Sequence, residues 1–160
     1  MKIKESVFCD TSFFIRLLDK TDPLHANARG YFRYFTENGY PLMISTIAIA
    51  EYCVRGKITD LPLRNLQILP FNLDHALRTS EFARVIFENK SALDLKQRKI
   101  IPNDTKLFAQ ADTEKSVLHY LSSDTESSKI YNLLRKESDP KFEFINLNTP
   151  YHQQFGILDL

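Results

Sequence analysis

Four acidic residues, Asp10, Glu51, Asp104 and Asp124, stand where apolar runs give way to a turn or a helix. Carboxylates gathered at one point repel one another unless a cation lies between them. Oxygen-only ligands suit the hard ions Mg²⁺ and Mn²⁺. The chemistry such a set supports is metal-dependent attack on phosphate esters. Each acid also has an ordinary reading. Asp10 can cap a helix, and Glu51 can pair with Arg55 one turn further on. Asp112 lies on the same segment as Asp104, about 80° round a helix axis, and is expected to be solvated rather than a further ligand.

The elements that must position these residues follow from pattern. Ser6 to Cys9 is a short apolar run ending at Asp10, and Thr11 or Ser12 can cap a helix carrying Phe13, Phe14, Ile15, Leu17 and Leu18. Asp22-Pro23 opens a second helix that closes at Asn38-Gly39. Pro41 to Ile44 reads as a strand, followed by a helix capped by Ser45 or Thr46 and ending at Gly56, in which Glu51 sits among apolar neighbours including Val54. Leu66 to Phe71 is a third strand, with Pro70 marking a terminus or an edge. Helices are expected from Asp74 through Ile86, from Pro102 to about Lys115, and from Glu126 to Lys136; strands from Ser116 to Leu121 and Phe142 to Ile145. Alternating strands and helices imply an α/β fold, a mostly parallel central sheet of four to five strands flanked by helices. Right-handed crossovers bring the strand C-termini to one edge, where ligands of open α/β sheets bind. One domain over 1–150 is expected, with a C-terminal tail at 151–160 that shows no clear period.

The bulk properties set limits. A chain of 160 residues, 43% hydrophobic and 26% charged, buries a substantial core. Lys and Arg total 21 against 20 Asp and Glu, so any nucleic-acid surface must be a local patch rather than a global charge. Cys9 and Cys53 form no CxxC pair and read as buried free thiols, suited to a reducing cytoplasm. The four histidines are scattered without ligand spacing. The start lacks a signal-peptide apolar stretch, and no run reaches a membrane span.

Four segments, taken together, resemble the PIN-domain ribonucleases, especially the VapC-like toxins of bacterial toxin–antitoxin modules. They are Val7-Phe8-Cys9-Asp10-Thr11-Ser12-Phe13, Ile44-Ser45-Thr46-Ile47-Ala48-Ile49-Ala50-Glu51, Ile101-Pro102-Asn103-Asp104 with Ala109 and Ala111, and Leu121-Ser122-Ser123-Asp124. Lys106 and Phe108 depart from the family pattern, as does Thr125-Glu126-Ser127-Ser128 in place of a basic-Asp-Phe run. The resemblance implies an endoribonuclease cleaving single-stranded or loop RNA with Mg²⁺ or Mn²⁺. Asp10, Asp104 and Asp124 would be the metal ligands and Glu51 the fourth catalytic acid, with Ser12 and Ser122 orienting the carboxylates. It also implies a protein antitoxin covering the cleft, and a homodimer is the expected assembly. A nuclease-inactive PIN-like module binding RNA or protein is the alternative. A haloacid-dehalogenase-like phosphatase is disfavoured because Ser12 stands where its second acid belongs, and a response-regulator receiver because neither its paired acid nor its late Lys is visible.

Arg16, Arg55, Lys57 and Lys106 are candidate RNA contacts, with Lys115 and the run Lys96-Gln97-Arg98-Lys99 also placed near the expected edge. A solvated charged face is the competing reading. Tyr52 and Tyr120 can stack on bases or pack in the core, with core the preferred reading. Tyr31, Phe32, Tyr34 and Phe35 exceed one buried stripe and suggest either a dimer or inhibitor face or ordinary core.

Overall fold

In the computed structural model, which describes residues 2–89 and 102–158, five parallel strands form one sheet. The strands are β1 (Ser6–Cys9), β2 (Leu42–Ser45), β3 (Leu66–Leu69), β4 (Val117–Ser122) and β5 (Glu143–Asn146), in the order β3-β2-β1-β4-β5. The helices are α1 (Thr11–Leu18), α2 (His25–Glu37), α3 (Thr46–Tyr52), α4 (Leu73–Glu88), α5 (Asn103–Thr113), α6 (Thr125–Glu137) and a short α7 (Tyr151–Gln154). This is the α/β architecture expected from the alternating pattern.

β1 and β2 are buried along their whole length, as continuous apolar runs at the centre of a parallel sheet must be. β3 is half-exposed and stops before Pro70, as an edge strand does. The centre of the sheet is the β1–β4 pair, in which Phe8 lies beside Tyr120 and Cys9 beside Leu121. The chain reverses its direction of strand addition there, so a crevice opens at the C-terminal ends of β1 and β4. One face of the sheet packs through Tyr120 and Phe144 against Phe108 of α5 and Tyr131 of α6. The other packs through His119 against Phe35 of α2 and Phe155.

Several boundaries differ from the sequence expectation, each for a local reason. α2 begins at His25 because the Asp22 carboxylate accepts from the Leu24 N–H and pairs with Arg16, holding a turn where the helix was expected to open. α3 ends at Tyr52 rather than Gly56. The Tyr52 ring packs so close to Gly56 that an added Cβ would come within 2.4 Å of it. Val54 is consequently 78% exposed rather than buried, and Cys53 is exposed while Cys9 is buried. Asp112, expected in solvent, is 4% exposed; its carboxylate accepts from Arg78 Nε at 2.7 Å and the Lys141 N–H at 2.7 Å. Tyr151–Gln154, just after Pro150, form α7, and the α2 aromatics are covered within the chain. Tyr34 stacks on Phe155 and Tyr151, with ring centroids 4.8 and 5.5 Å apart. Of the two basic groups placed near the crevice, Lys115 follows the C-terminus of α5 and precedes β4. It therefore lies at the opposite edge of the sheet. The run Lys96-Gln97-Arg98-Lys99 lies outside the described residues.

Candidate carboxylate site

Asp10 is the first residue past β1 and the N-cap of α1, so the sheet edge and the helix start fix it together. One carboxylate oxygen accepts from the Thr11 N–H at 2.6 Å; the other accepts from Ser122 Oγ at 2.7 Å and Ser12 Oγ at 3.0 Å. Ser12 and Ser122 lie 3.2 Å apart, and Ser12 Oγ also accepts from the Ser123 N–H. The two serines thus tie the end of β4 to the start of α1 through Asp10. Helix capping and site-building, which the sequence left as alternatives, coincide in this residue. Burial pushes its carboxyl up to about 6 despite those three donors, and the nearby charge of Glu51 adds to the rise.

Asp104 stands in the first turn of α5. Burial first, then the charges of Asp10 and Asp124, raise its carboxyl to about 7. Asp124 caps α6, accepting from the N–H groups of Glu126 at 2.7 Å and Ser127 at 3.3 Å. Glu51 does not pair with Arg55. It accepts from Thr11 Oγ1 at 2.5 Å and from Asn103 Nδ2 at 2.6 Å. Thr11 and Asn103 are therefore part of the site, although sequence reasoning treated them as a cap candidate and a motif residue. Their signal was position alone, each adjacent to an acid.

The four acids share one electrostatic neighbourhood: Asp104 feels Asp10, Asp124 and Glu51. Among the described residues no Lys or Arg forms an ion pair with any of them. Nor, among those residues, does any group of three acidic, His or Cys side chains stand close enough together to hold a metal ion. The reason is visible in the hydrogen bonds: Asp124 is turned to the α6 backbone, and Glu51 to Thr11 and Asn103. An all-oxygen, open set of this kind suits an ion that keeps several waters and takes one or two carboxylates directly, which is the habit of Mg²⁺.

Of the basic candidates, Arg16 pairs with Asp22 at 2.5 Å and donates to Ser123 Oγ at 3.3 Å, beside the acids. Lys106 reaches Asn103 Oδ1 at 3.4 Å. Arg55 lines a groove of about 560 Å³ that runs from Glu51 along Tyr52, Ile15 and Leu18. Lys57 is exposed just beyond it. Tyr120 is wholly buried, as the core reading expected.

No protein-family model matches the chain, and no curated protein sequence matches it. Solved structures do. A chain of the DNA-bound VapBC from Salmonella typhimurium superposes with a TM-score of 0.57 at 15% identity, covering 89% of this chain and 98% of its own. A chain of VapBC2 from Rickettsia felis, bound to a fragment of promoter DNA, gives 0.61 at 16% identity over 88% and 97%. VapC20 of Mycobacterium tuberculosis, a toxin that cleaves the sarcin–ricin loop, gives 0.52 at 17% identity over 77% and 93%. Sheet order, the acids at the β1–β4 crevice and these superpositions agree: the chain has the fold of a VapC-like PIN domain.

Proposed function

We propose that the protein is a divalent-metal-dependent endoribonuclease acting on single-stranded or loop RNA, and the toxin of a toxin–antitoxin pair. The observation that carries this reading is electrostatic. Asp10 is held buried and Asp104 half-buried beside two further carboxylates, and no protein cation among the described residues pairs with them. Such an arrangement is unfavourable in the ionised state unless a cation joins it.

Asp10, Asp104 and Asp124 would hold Mg²⁺ or Mn²⁺, in part through water. The ion, when bound, supplies a more acidic water and offsets charge on the phosphate. Ser12 and Ser122 keep the Asp10 carboxylate from turning, and Thr11 with Asn103 does the same for Glu51, which would orient a water. Arg16, Arg55, Lys57 and Lys106 would meet RNA phosphates around the crevice. Similarity to VapC20 makes a structured rRNA loop a rational first substrate, and similarity to the two VapBC complexes makes a small antitoxin the expected partner. A reducing cytoplasm suits the free Cys9 thiol, and a homodimer remains the assembly we expect.

The test is Asp10→Asn assayed on single-stranded RNA and on a sarcin–ricin-loop oligonucleotide with Mg²⁺ or Mn²⁺. Loss of at least ~10³-fold in cleavage with an unchanged fold is expected if Asp10 organises the chemistry. Full activity in that variant discards the role. The open geometry of the four acids gives the nuclease-inactive, RNA- or protein-binding reading some support. Calorimetric titration of the wild-type protein with Mn²⁺ separates the two readings, because the binding module takes up no ion.

A further inference from the structure

Ser123 stands between Ser122, which donates to Asp10, and Asp124. Two residues on one face of α1 grip it. Ser12 Oγ accepts from its N–H at 2.9 Å, and Arg16, one helical turn further on, donates from Nε to its Oγ at 3.3 Å. Ser12 also donates to Asp10. Arg16 is thereby fixed at the rim of the crevice, a turn of helix from the acids, with its side chain 37% exposed.

Asp22 holds the guanidinium in that place. One of its carboxylate oxygens accepts from Arg16 Nη1 at 2.5 Å and the other from the Leu24 N–H at 2.8 Å, and its side chain is only 8% exposed. A carboxylate engaged at both oxygens does not follow the arginine; the arginine follows it. A long cation beside four acids is otherwise drawn onto them, yet among the described residues Arg16 pairs with Asp22 alone. A tie between α1 and the turn before α2 needs only the Nη1 bond. The Nε bond to Ser123 aligns the same guanidinium with the segment that carries Asp124. Nη2 and the second Nη1 hydrogen have no partner among the described residues. A phosphate fits that planar fork. The other basic candidates lack such support: Lys106 reaches Asn103 Oδ1 at 3.4 Å, and among the described residues Arg55 and Lys57 form no ion pair.

We propose that Arg16 grips a phosphate of single-stranded RNA next to the one presented to the acids, and that Asp22 is the positioning residue that holds its guanidinium ready for it. The inference rests on the ribonuclease reading, and its test fails separately from that reading.

The test is equilibrium binding of a fluorescent single-stranded RNA, at several salt concentrations, to the full chain carrying Asp10→Asn to silence cleavage. Arg16→Gln is expected to weaken binding about tenfold, as loss of one charged hydrogen bond does, and to lower the salt slope by about 0.7, one phosphate on a single strand. Arg16→Lys keeps the charge without the fork, so it restores the slope and leaves most of the affinity loss. Asp22→Ala removes a negative charge, which by charge alone favours RNA binding. The proposal expects the opposite, a loss of about 2- to 10-fold, because the arginine must then be ordered by the RNA. That loss disappears in the Arg16→Gln background. Unchanged affinity in Arg16→Gln overturns the contact. Tighter binding in Asp22→Ala, or the same loss in both backgrounds, overturns the positioning. If Arg16→Gln does not fold, Arg16→Lys decides: full affinity overturns the proposal, and reduced affinity at an unchanged slope supports it. A chain that neither binds nor cleaves RNA refutes the ribonuclease reading and the proposal with it. A chain that cleaves RNA and binds it equally well without Arg16 refutes the proposal alone.

Discussion

At the scale of single residues, the acids make the molecule sensitive to pH in a direction fixed by their surroundings. Asp10 and Asp104 have ordinary values near 3.8 when unfolded and are raised to about 6 and about 7 in the fold. Between those limits the folded protein holds protons that the unfolded chain has released. Stability of the metal-free protein must therefore fall as pH rises from about 4 to about 7, and level off above that. Asp104→Asn is expected to flatten this profile and raise Tm at pH 8 by about 2–4 °C for each ~1 kcal/mol of relieved repulsion. A Tm that climbs over the same pH range rules out the repulsion. Divalent ions require the ionised acids, so Mn²⁺ should bind more tightly at pH 8 than at pH 6, releasing protons as it does. Calorimetry in two buffers of different ionisation enthalpy reads that release directly.

At the scale of elements, α4 and α5 are joined by an ion pair that the sequence placed in solvent. Arg78 of α4 donates to the buried Asp112 of α5, which also takes the Lys141 N–H before β5. Asp112→Ala leaves the Lys141 N–H without its partner and Arg78 with Glu81 alone, and is expected to destabilise by about 1–3 kcal/mol, as loss of a buried hydrogen-bonding partner does. Urea unfolding measures it, and cleavage by the folded fraction should be unchanged. The strands, the helices and the acid-bearing turns were legible because apolar runs of strand length alternate with helical periods and end in capping residues. Helix starts and stops were less so, since Asp22 is diverted to Arg16 and Gly56 serves the Tyr52 ring. Both depend on contacts made across the fold. Asp112 shows the same limit: helical angle predicts which way a residue points, but not whether another element waits there. Of the site, Asp10 with its two serines was legible from the motif, whereas the Thr11 and Asn103 bonds to Glu51 needed α1, α3 and α5 to be brought together.

At the scale of the molecule, the last described residues close the aromatic face of α2. Tyr31 donates to the Thr149 carbonyl, Asn27 to that of Leu147, and Tyr34 stacks on Phe155. A chain cut after Thr149 uncovers that face, and should lose several degrees in Tm and associate at micromolar concentration, as exposed apolar patches do. Light scattering and a thermal scan of the shortened chain test this; unchanged values show the segment to be dispensable. The same whole-molecule view bears on when activity can arise. Asp10 is steadied by Ser122, a partner 112 positions later in the chain, and Asp124 follows it. A nascent polypeptide leaving the ribosome thus carries the first two acids for most of its synthesis without the strand that organises them. If the chain is the ribonuclease proposed above, cleavage of RNA has to wait until Ser122 and Asp124 are made, which shields the translating message from its own product.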